Sequence, residues 1–155
     1  MTLLVKKFGG TSVGDIKKIK NIASSICQSK EAGNEIVVVV SAMGKTTDDL
    51  NCLAESISKN PNRRELDMLL STGEQITIAL LSMALNEYGI PAISMTGSQV
   101  GIITESIHGK ARILDIKTER IQNYINQGFV VVVAGFQGTT SVSYTHLTLP
   151  TICSV

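Results

Sequence analysis

Runs of β-branched and other apolar residues mark the predicted strands of this chain. Ile36 to Val40 and Phe129 to Ala134 are apolar at every position, Leu3 to Lys7 is a short β-prone run, and Pro91 to Met95 is largely apolar. Continuous apolar runs of this length are typical of strands buried on both faces of a parallel sheet. The pattern therefore predicts a sheet that is mostly parallel.

Between these strands, apolar residues recur at the three- and four-residue spacing of an amphipathic helix. In the first such segment they are Ile16, Ile19, Ile22, Ala23, Ile26 and Cys27. Thr11 or Ser12 is available as the N-cap and Gly33 as the end. We therefore expect a helix that opens directly after Gly10.

Three later segments are also predicted to be helical: Asp48 to Ser58, Arg64 to Glu87 and Leu114 to Asn126. In the last of them Ile121 and Ile125 should face inward. Some methionines fall on apolar positions and are expected in the core, namely Met68, Met83 and Met95. Strands that alternate with helices predict an α/β fold with a doubly wound, mostly parallel sheet.

Glycine-containing loops follow three of the predicted strands. They are Gly9-Gly10-Thr11-Ser12, Ser41-Ala42-Met43-Gly44 and Gly135-Phe136-Gln137-Gly138. Open α/β sheets bind ligands beyond the carboxyl ends of their strands, so the loops are expected to converge on one crevice. Glycine lets backbone N–H groups approach a phosphate closely, and Lys7 would add a full positive charge.

The spacing of these glycines argues against two common nucleotide-binding motifs. Gly9 to Gly14 has the glycine spacing of a Walker A loop, but Asp15 and Ile16 stand where that motif requires Lys and Ser or Thr. The chain also lacks the G-x-G-x-x-G pattern of dinucleotide-binding proteins. A P-loop nucleotidase and a Rossmann dehydrogenase are therefore disfavoured.

Composition and charge restrict the partners further. The chain has 155 residues, of which 43% are hydrophobic, and its 14 Lys and Arg nearly balance its 13 Asp and Glu. This balance gives no overall field that would recruit nucleic acid or a membrane surface. No stretch is expected to reach the ~18 consecutive apolar residues of a membrane span, and no targeting segment is recognised.

The cysteines favour a reducing compartment. Cys27, Cys52 and Cys153 are odd in number and form no C-x-x-C pair, which argues against a disulfide framework and against a zinc site. A cytoplasmic location is expected.

Five segments of the chain, in order, resemble the aspartokinases, a family of amino-acid kinases. Lys7 to Ser12 is similar to the opening segment of that family, and Val38 to Gly44 followed by Thr47-Asp48 is similar to its second glycine loop. Three further segments match as well: Ser71-Thr72-Gly73-Glu74-Gln75, Met95-Thr96-Gly97 and Val133 to Gly138. The likeness runs from Met1 to about Thr140.

The resemblance implies a three-layer α/β/α sandwich, the amino-acid kinase or carbamate-kinase-like fold, here truncated. It implies ATP and L-aspartate as ligands, Mg²⁺ bound through the ATP phosphates, and a homo-oligomer in the full-length enzyme. ATP would lie at Lys7, Phe8, Gly9 and Gly10, with Lys7 as the catalytic residue. The substrate would lie at Ser41, Thr47 and Glu74, and no protein metal ligand is expected.

The implied reaction is transfer of the ATP γ-phosphate to the β-carboxylate of aspartate, the first step of lysine, threonine and methionine biosynthesis. That carboxylate is ionised at neutral pH, so the reaction needs no general base and depends on positioning and charge stabilisation. Lys7 would stabilise the phosphoryl charge, Ser41 and Thr47 would donate to the acceptor carboxylate, and Glu74 would pair with the α-ammonium.

Each of these residues also has a purely structural interpretation. Gly9-Gly10 after a strand can be a tight turn, and Lys7 a surface charge. Glu74 can lie on a solvated helix face or pair with Arg63 or Arg64. His108 and Arg112 lie in a polar segment that is expected to be a loop over the acceptor site, with structural rather than catalytic roles.

The family likeness ends after Thr140. Residues 141–155 match nothing in the aspartokinases and resemble translated vector or adaptor sequence, so residues 1–140 are predicted to form the N-terminal part of the kinase domain. The chain as written is expected to have little or no kinase activity. We also expect self-association, because an incomplete sheet exposes an apolar edge.

Two alternatives stay open on the sequence. Another amino-acid kinase, acting on glutamate, N-acetylglutamate or a nucleoside monophosphate, would share the sheet and the first glycine loop. A non-catalytic fragment that binds nucleotide or a partner subunit is the second. Competition of several amino acids for one site would distinguish the first alternative from an aspartokinase. Stabilisation of the chain by ATP, without aspartate-dependent turnover, would favour the second.

Overall fold

The structure is a computed structural model, and it describes residues 2–106 and 112–140 together with the backbone of residues 145–147. The strands are β1 (Leu3–Phe8), β2 (Glu35–Val40), β3 (Ala92–Met95), β4 (Ile102–Thr104), β5 (Ile113–Ile116), β6 (Val130–Ala134), β7 (Gln137–Thr139) and β8 (Thr145–Leu147). The helices are α1 (Ile16–Glu31), α2 (Thr46–Ile57), α3 (Arg63–Glu87) and α4 (Glu119–Asn126).

The main sheet is fully parallel, with strand order β1-β2-β6-β3. β2 and β6 are its two central strands, and both consist almost entirely of valine and isoleucine because both of their faces are covered. The predicted strands are confirmed to within one or two residues at each end. Since all four strands run in one direction, their carboxyl ends meet at one edge of the sheet.

Helices cover the two faces of this sheet. On one face, Ile36, Val38 and Val132 pack against α1 and α3 through buried side chains that include Ile19, Ile26, Ile78, Leu81 and Leu85. On the other face, Val131 and Val133 pack with Met95, with Val100 and with Ile125 from α4. Ile121, also on α4, lies partly buried beside them. The predicted α/β fold with helices on both faces is therefore confirmed.

A second, smaller sheet has the order β5-β4-β7-β8 and was not predicted from the sequence. β4 pairs antiparallel with β5 and parallel with β7, and β7 pairs antiparallel with β8. The helix predicted from Leu114 was wrong over its first residues, because Ile113–Ile116 pairs with β4 and the helix begins only at Glu119. β8 lies beyond residue 140, and the predicted boundary at that residue stays a prediction.

The start of α1 also differs from the expectation. Asp15, rather than Thr11 or Ser12, is the N-cap, and its carboxylate accepts the Lys18 N–H at 2.8 Å. The residues after Gly10 form a turn in which the Ser12 and Val13 N–H groups donate to Gly9 O. The prediction of a helix opening directly after Gly10 was wrong, because this turn occupies the intervening residues.

Within the described ranges, α3 is the one helix that is long and apolar enough to cross a membrane, by length and composition only. α3 contains no run of ~18 consecutive apolar residues, because polar residues such as Glu74, Gln75 and Thr77 interrupt it, so the expectation about such a run holds for this helix. The core helix of a globular protein meets the same criterion, and α3 packs against α1, α2, β3 and β6. Of the three methionines assigned to the core, Met95 is buried, whereas Met68 and Met83 on α3 are exposed.

Candidate functional site

The first two glycine loops are in direct contact at the carboxyl edge of the main sheet. Gly44 donates its N–H to Gly10 O at 3.0 Å. A Cβ atom on Gly10 would lie 2.8 Å from Ala42 O, so only glycine allows the two backbones to approach this closely. Gly44 has φ +48 and lies against Gly14, which again requires glycine. The predicted convergence of these loops is confirmed.

The third loop joins them from the end of β6. Gly135 donates its N–H to Val40 O at 2.9 Å, and a Cβ atom on Gly135 would lie 3.0 Å from Val39 Cγ1. The next residue, Phe136, places its ring 5.9 Å from Lys7 Nζ, within the range of a cation–π contact. The loops after β1, β2 and β6 therefore form one cluster.

The residues predicted to bind nucleotide lie at the end of β1 in this cluster. Lys7 and Gly9 are exposed, and Phe8 and Gly10 are half-buried. Phe8 O accepts the Ser41 N–H at 3.3 Å, which ties the ends of β1 and β2 together. The exposed Lys7 and Gly9 leave a cation and free backbone surface beside the glycine loops, where a phosphate could approach.

Glu74 lies on α3 and is only 4% exposed. Both of its carboxylate oxygens accept the Phe136 N–H, at 3.1 and 3.3 Å. Burial raises the pKa of Glu74 from 4.5 to about 7, against the opposing effects of hydrogen bonds from the Phe136 backbone and the Gln137 side chain. The solvated-face and Arg63 or Arg64 interpretations of Glu74 were wrong, since the carboxylate points into the loop cluster.

Ser41 and Thr47 lie close to the segment of α3 that carries Glu74. A Cβ atom on Gly73 would lie 3.1 Å from Ala42 Cβ and 3.2 Å from Thr46 Cγ2. Ser41, which is half-buried, directly precedes Ala42 in the sequence. Thr47, which is exposed near the start of α2, directly follows Thr46. The residues adjoining Ser41 and Thr47 in sequence thus lie against α3 next to Glu74, and substrate binding by Ser41, Thr47 and Glu74 stays a prediction.

Two residues of the site, Gln137 and Gly97, were not singled out from the sequence. Gln137 is 2% exposed, and its side-chain amide donates to Ser71 O at 2.7 Å. A Cβ atom on Gly97 would lie 2.0 Å from Gln137 O, so the backbone of the β3–β4 connection is in close contact with the start of β7. Both residues fall in segments that carry the family resemblance, which was the one available signal.

The remaining sequence predictions concern metals and the polar loop. Within residues 2–106 and 112–140, no three His, Cys, Asp or Glu side chains are grouped as a metal site would require. Arg112 is exposed, and its backbone carbonyl accepts the Glu105 N–H at 3.0 Å. His108 and Cys153 lie outside the described residues, as does the tail apart from β8.

Comparisons with known proteins agree on one family. The amino acid kinase family matches residues 2–147. An aspartokinase from Bacillus sp. (strain MGA3) is 62% identical over 138 residues, which cover 89% of this chain and 34% of that protein. The chain spans about a third of the length of the curated relatives it matches.

Solved structures give the same result for the fold. Aspartate kinase from Synechocystis has a TM-score of 0.76 and 53% identity, over 98% of this chain and 24% of that one. Aspartokinase III from E. coli, solved in complex with aspartate and ADP, has a TM-score of 0.77 at 21% identity, over 95% of this chain and 43% of that one. The second likeness concerns the fold alone.

Proposed function

The chain belongs to the amino acid kinase family, and on that premise we propose that it acts as part of an aspartate kinase. The reaction is transfer of the ATP γ-phosphate to the β-carboxylate of L-aspartate, giving 4-phospho-L-aspartate. The observation that carries this proposal is the 62% identity to a Bacillus aspartokinase over 89% of the chain. The geometry of the loop cluster supports it, because it offers a cation and a buried carboxylate at one edge of the sheet.

Lys7 would stabilise the charge on the transferring phosphoryl group. It lies at the end of β1 beside Gly9 and Gly10, and a flexible ammonium in this position can follow the phosphate as charge develops. Phe136 contacts the Lys7 ammonium through its ring, which limits the directions in which that side chain extends. Magnesium would be held mainly by the ATP phosphates and would screen their charge.

Glu74 would receive the α-ammonium of aspartate. A buried carboxyl with a pKa of about 7 is partly protonated at neutral pH when no cation is near it. An ammonium placed against it favours the ionised form, and the pair then gains a charge-assisted hydrogen bond in a site of low dielectric. Ser41 and Thr47 would donate their hydroxyls to the acceptor carboxylate and hold it in line with the phosphorus.

The test is hydroxamate trapping of the acyl phosphate, on this chain and on the longest polypeptide encoded with it. With aspartate, the longer polypeptide should give trapped product and this chain little or none, whereas glutamate and N-acetylglutamate should give none with either. We expect Glu74→Gln to weaken aspartate binding by at least about tenfold, because it removes the charge opposite the ammonium. Glu65→Gln, on the exposed face of the same helix, is the matched control and should leave binding unchanged. Trapping with glutamate in preference to aspartate would contradict the proposal.

A further inference from the structure

Gln137 is buried at the start of β7, where its side chain meets α3. Its amide has two N–H donors. It donates to Ser71 O at 2.7 Å, and the N–H of the residue before it, Phe136, donates to the Glu74 carboxyl at 3.1 and 3.3 Å. Ser71 and Glu74 lie three residues apart and so share one face of α3. Two adjacent residues, Phe136 and Gln137, therefore bind α3 on both sides of one turn.

The turn that carries Gln137 has little room to move. Gly135 is bonded to Val40 O on β2, Phe136 donates its N–H to Glu74, and Gln137 O is in contact with Gly97. Packed backbones of this kind resist small displacements. A change in the Gln137 side chain is therefore felt at its hydrogen-bond partners rather than absorbed by the loop.

We propose that Gln137 is a positioning residue for the amino-acid acceptor site: it holds the Glu74 carboxyl toward the loop cluster and stabilises its ionised form. The inference rests on the proposed role of Glu74 as partner of the substrate ammonium. Gln137 acts through Glu74 and has no assigned contact with the substrate. In its absence α3 loses its bond to this turn at Ser71, and the Glu74 carboxyl is held less firmly against the Phe136 N–H.

Other charged groups lie around Glu74 and have to be separated from it in an experiment. Lys7 lies across the Phe136 ring, Asp67 is buried two turns earlier on α3, and Lys45 and Asp48 lie at the start of α2. β3 and β6 carry no titratable side chain. The readout must therefore report the Glu74 carboxyl itself.

The test is an NMR titration of carboxyl-labelled glutamate in the chain and in its Gln137→Met variant. Methionine has the length of glutamine without the amide, so it preserves the packing. The Glu74 signal is assigned by its loss in Glu74→Gln. We expect the Glu74 pKa to rise by about one unit in Gln137→Met, because the Phe136 N–H that donates to the ionised form is then held less firmly. The control Gln122→Met changes an exposed glutamine whose side-chain amide donates to Asn126 on α4, and it should leave the titration unchanged.

A second measurement links the titration to binding. Aspartate affinity of Gln137→Met should fall about tenfold below the Glu74 pKa and should recover at higher pH. Loss of affinity by the same factor at every pH would instead indicate a structural defect and would overturn the proposal, as would an unchanged Glu74 pKa. If Gln137→Met does not fold, Gln137→Asn replaces it, because the asparagine amide is one methylene further from α3. Its Glu74 pKa should rise by less than in Gln137→Met, and an unchanged pKa in Gln137→Asn would also overturn the proposal.

The titration and the affinity measurement together separate this inference from the proposed function. If the unsubstituted chain and the longer polypeptide that contains it bind no aspartate, the proposed function fails. The titration still decides whether Gln137 controls the charge of Glu74.

Discussion

The two halves of α3 bury different kinds of side chain. From Asp67 to Thr77 the buried residues are polar or small, namely Asp67, Ser71, Gly73, Glu74 and Thr77. From Ile78 onward they are mainly apolar, with Ile78, Leu81 and Leu85 in the core. Both halves are covered by the rest of the chain, so burial alone does not distinguish them. Polar side chains that a helix buries beside glycine loops mark a binding site rather than a core.

The largest effect is expected in the apolar half. Leu81→Ala removes a fully buried side chain from between the sheet and α1, and it should lower the free energy of unfolding by about 3 kcal/mol. Urea denaturation measures this loss. The variant should keep its aspartate affinity while it remains folded, because Leu81 lies about two turns along α3 from Glu74. A weakened affinity in the folded variant would break the distinction between the two halves.

The next effect concerns the polar half and depends on pH. The pKa of Glu74 is about 7 in the folded chain against 4.5 when unperturbed, so between these values the folded chain binds more protons than the unfolded chain. The stabilisation from protonated Glu74 is therefore fully present below about pH 4.5 and is lost as the pH rises through about 7. A shift of this size corresponds to about 3 kcal/mol at full development.

The measurement is the free energy of unfolding of the chain and of Glu74→Gln at about pH 4.5 and about pH 8. The difference in the free energy of unfolding between the two proteins should change by nearly the whole of this stabilisation between the two pH values, since glutamine does not titrate. Asp67→Asn, a second buried acid on the same helix, shows whether the effect is specific to Glu74. Parallel pH profiles for the chain and Glu74→Gln would contradict the assignment.

The smallest effect is expected on the outer face. Ile76→Gln and Met83→Gln replace side chains that are 51% and 64% exposed, and each should change the free energy of unfolding by no more than about 0.5 kcal/mol. Thermal unfolding of the two variants measures this. A loss above about 2 kcal/mol in either variant would show that this face is covered in solution by a partner or a second copy.

The sequence predicted the buried strands well, because a valine run such as Val37 to Val40 has few other uses in a soluble chain. It failed for β5, since Leu114 and Ile116 are too few to show an alternating pattern and merge with the helical spacing of Ile121 and Ile125. It also failed for Met68 and Met83, because a long helix has more apolar residues than its contacts can cover.

The candidate site was predicted through resemblance more than through pattern. The glycine loops could be found from strand ends alone, and their contact followed from the parallel sheet. The burial of Glu74 could not, since it depends on Phe136, a residue 62 positions later in the chain. The role of Gln137 depends on a side-chain rotamer and on Ser71 O, for which no local sequence signal exists.

The strand order β1-β2-β6-β3 also has a consequence for how the chain is made. β6 lies between β2 and β3 in the sheet but is translated after both of them. A ribosome that has released β3 has therefore produced a strand with no neighbour to pair with, and α1 and α3 face a sheet that lacks its centre. Domains with such late, distant pairings fold slowly and expose apolar surface meanwhile. Nascent chains of this protein should accordingly be bound by chaperones until β6 leaves the ribosome.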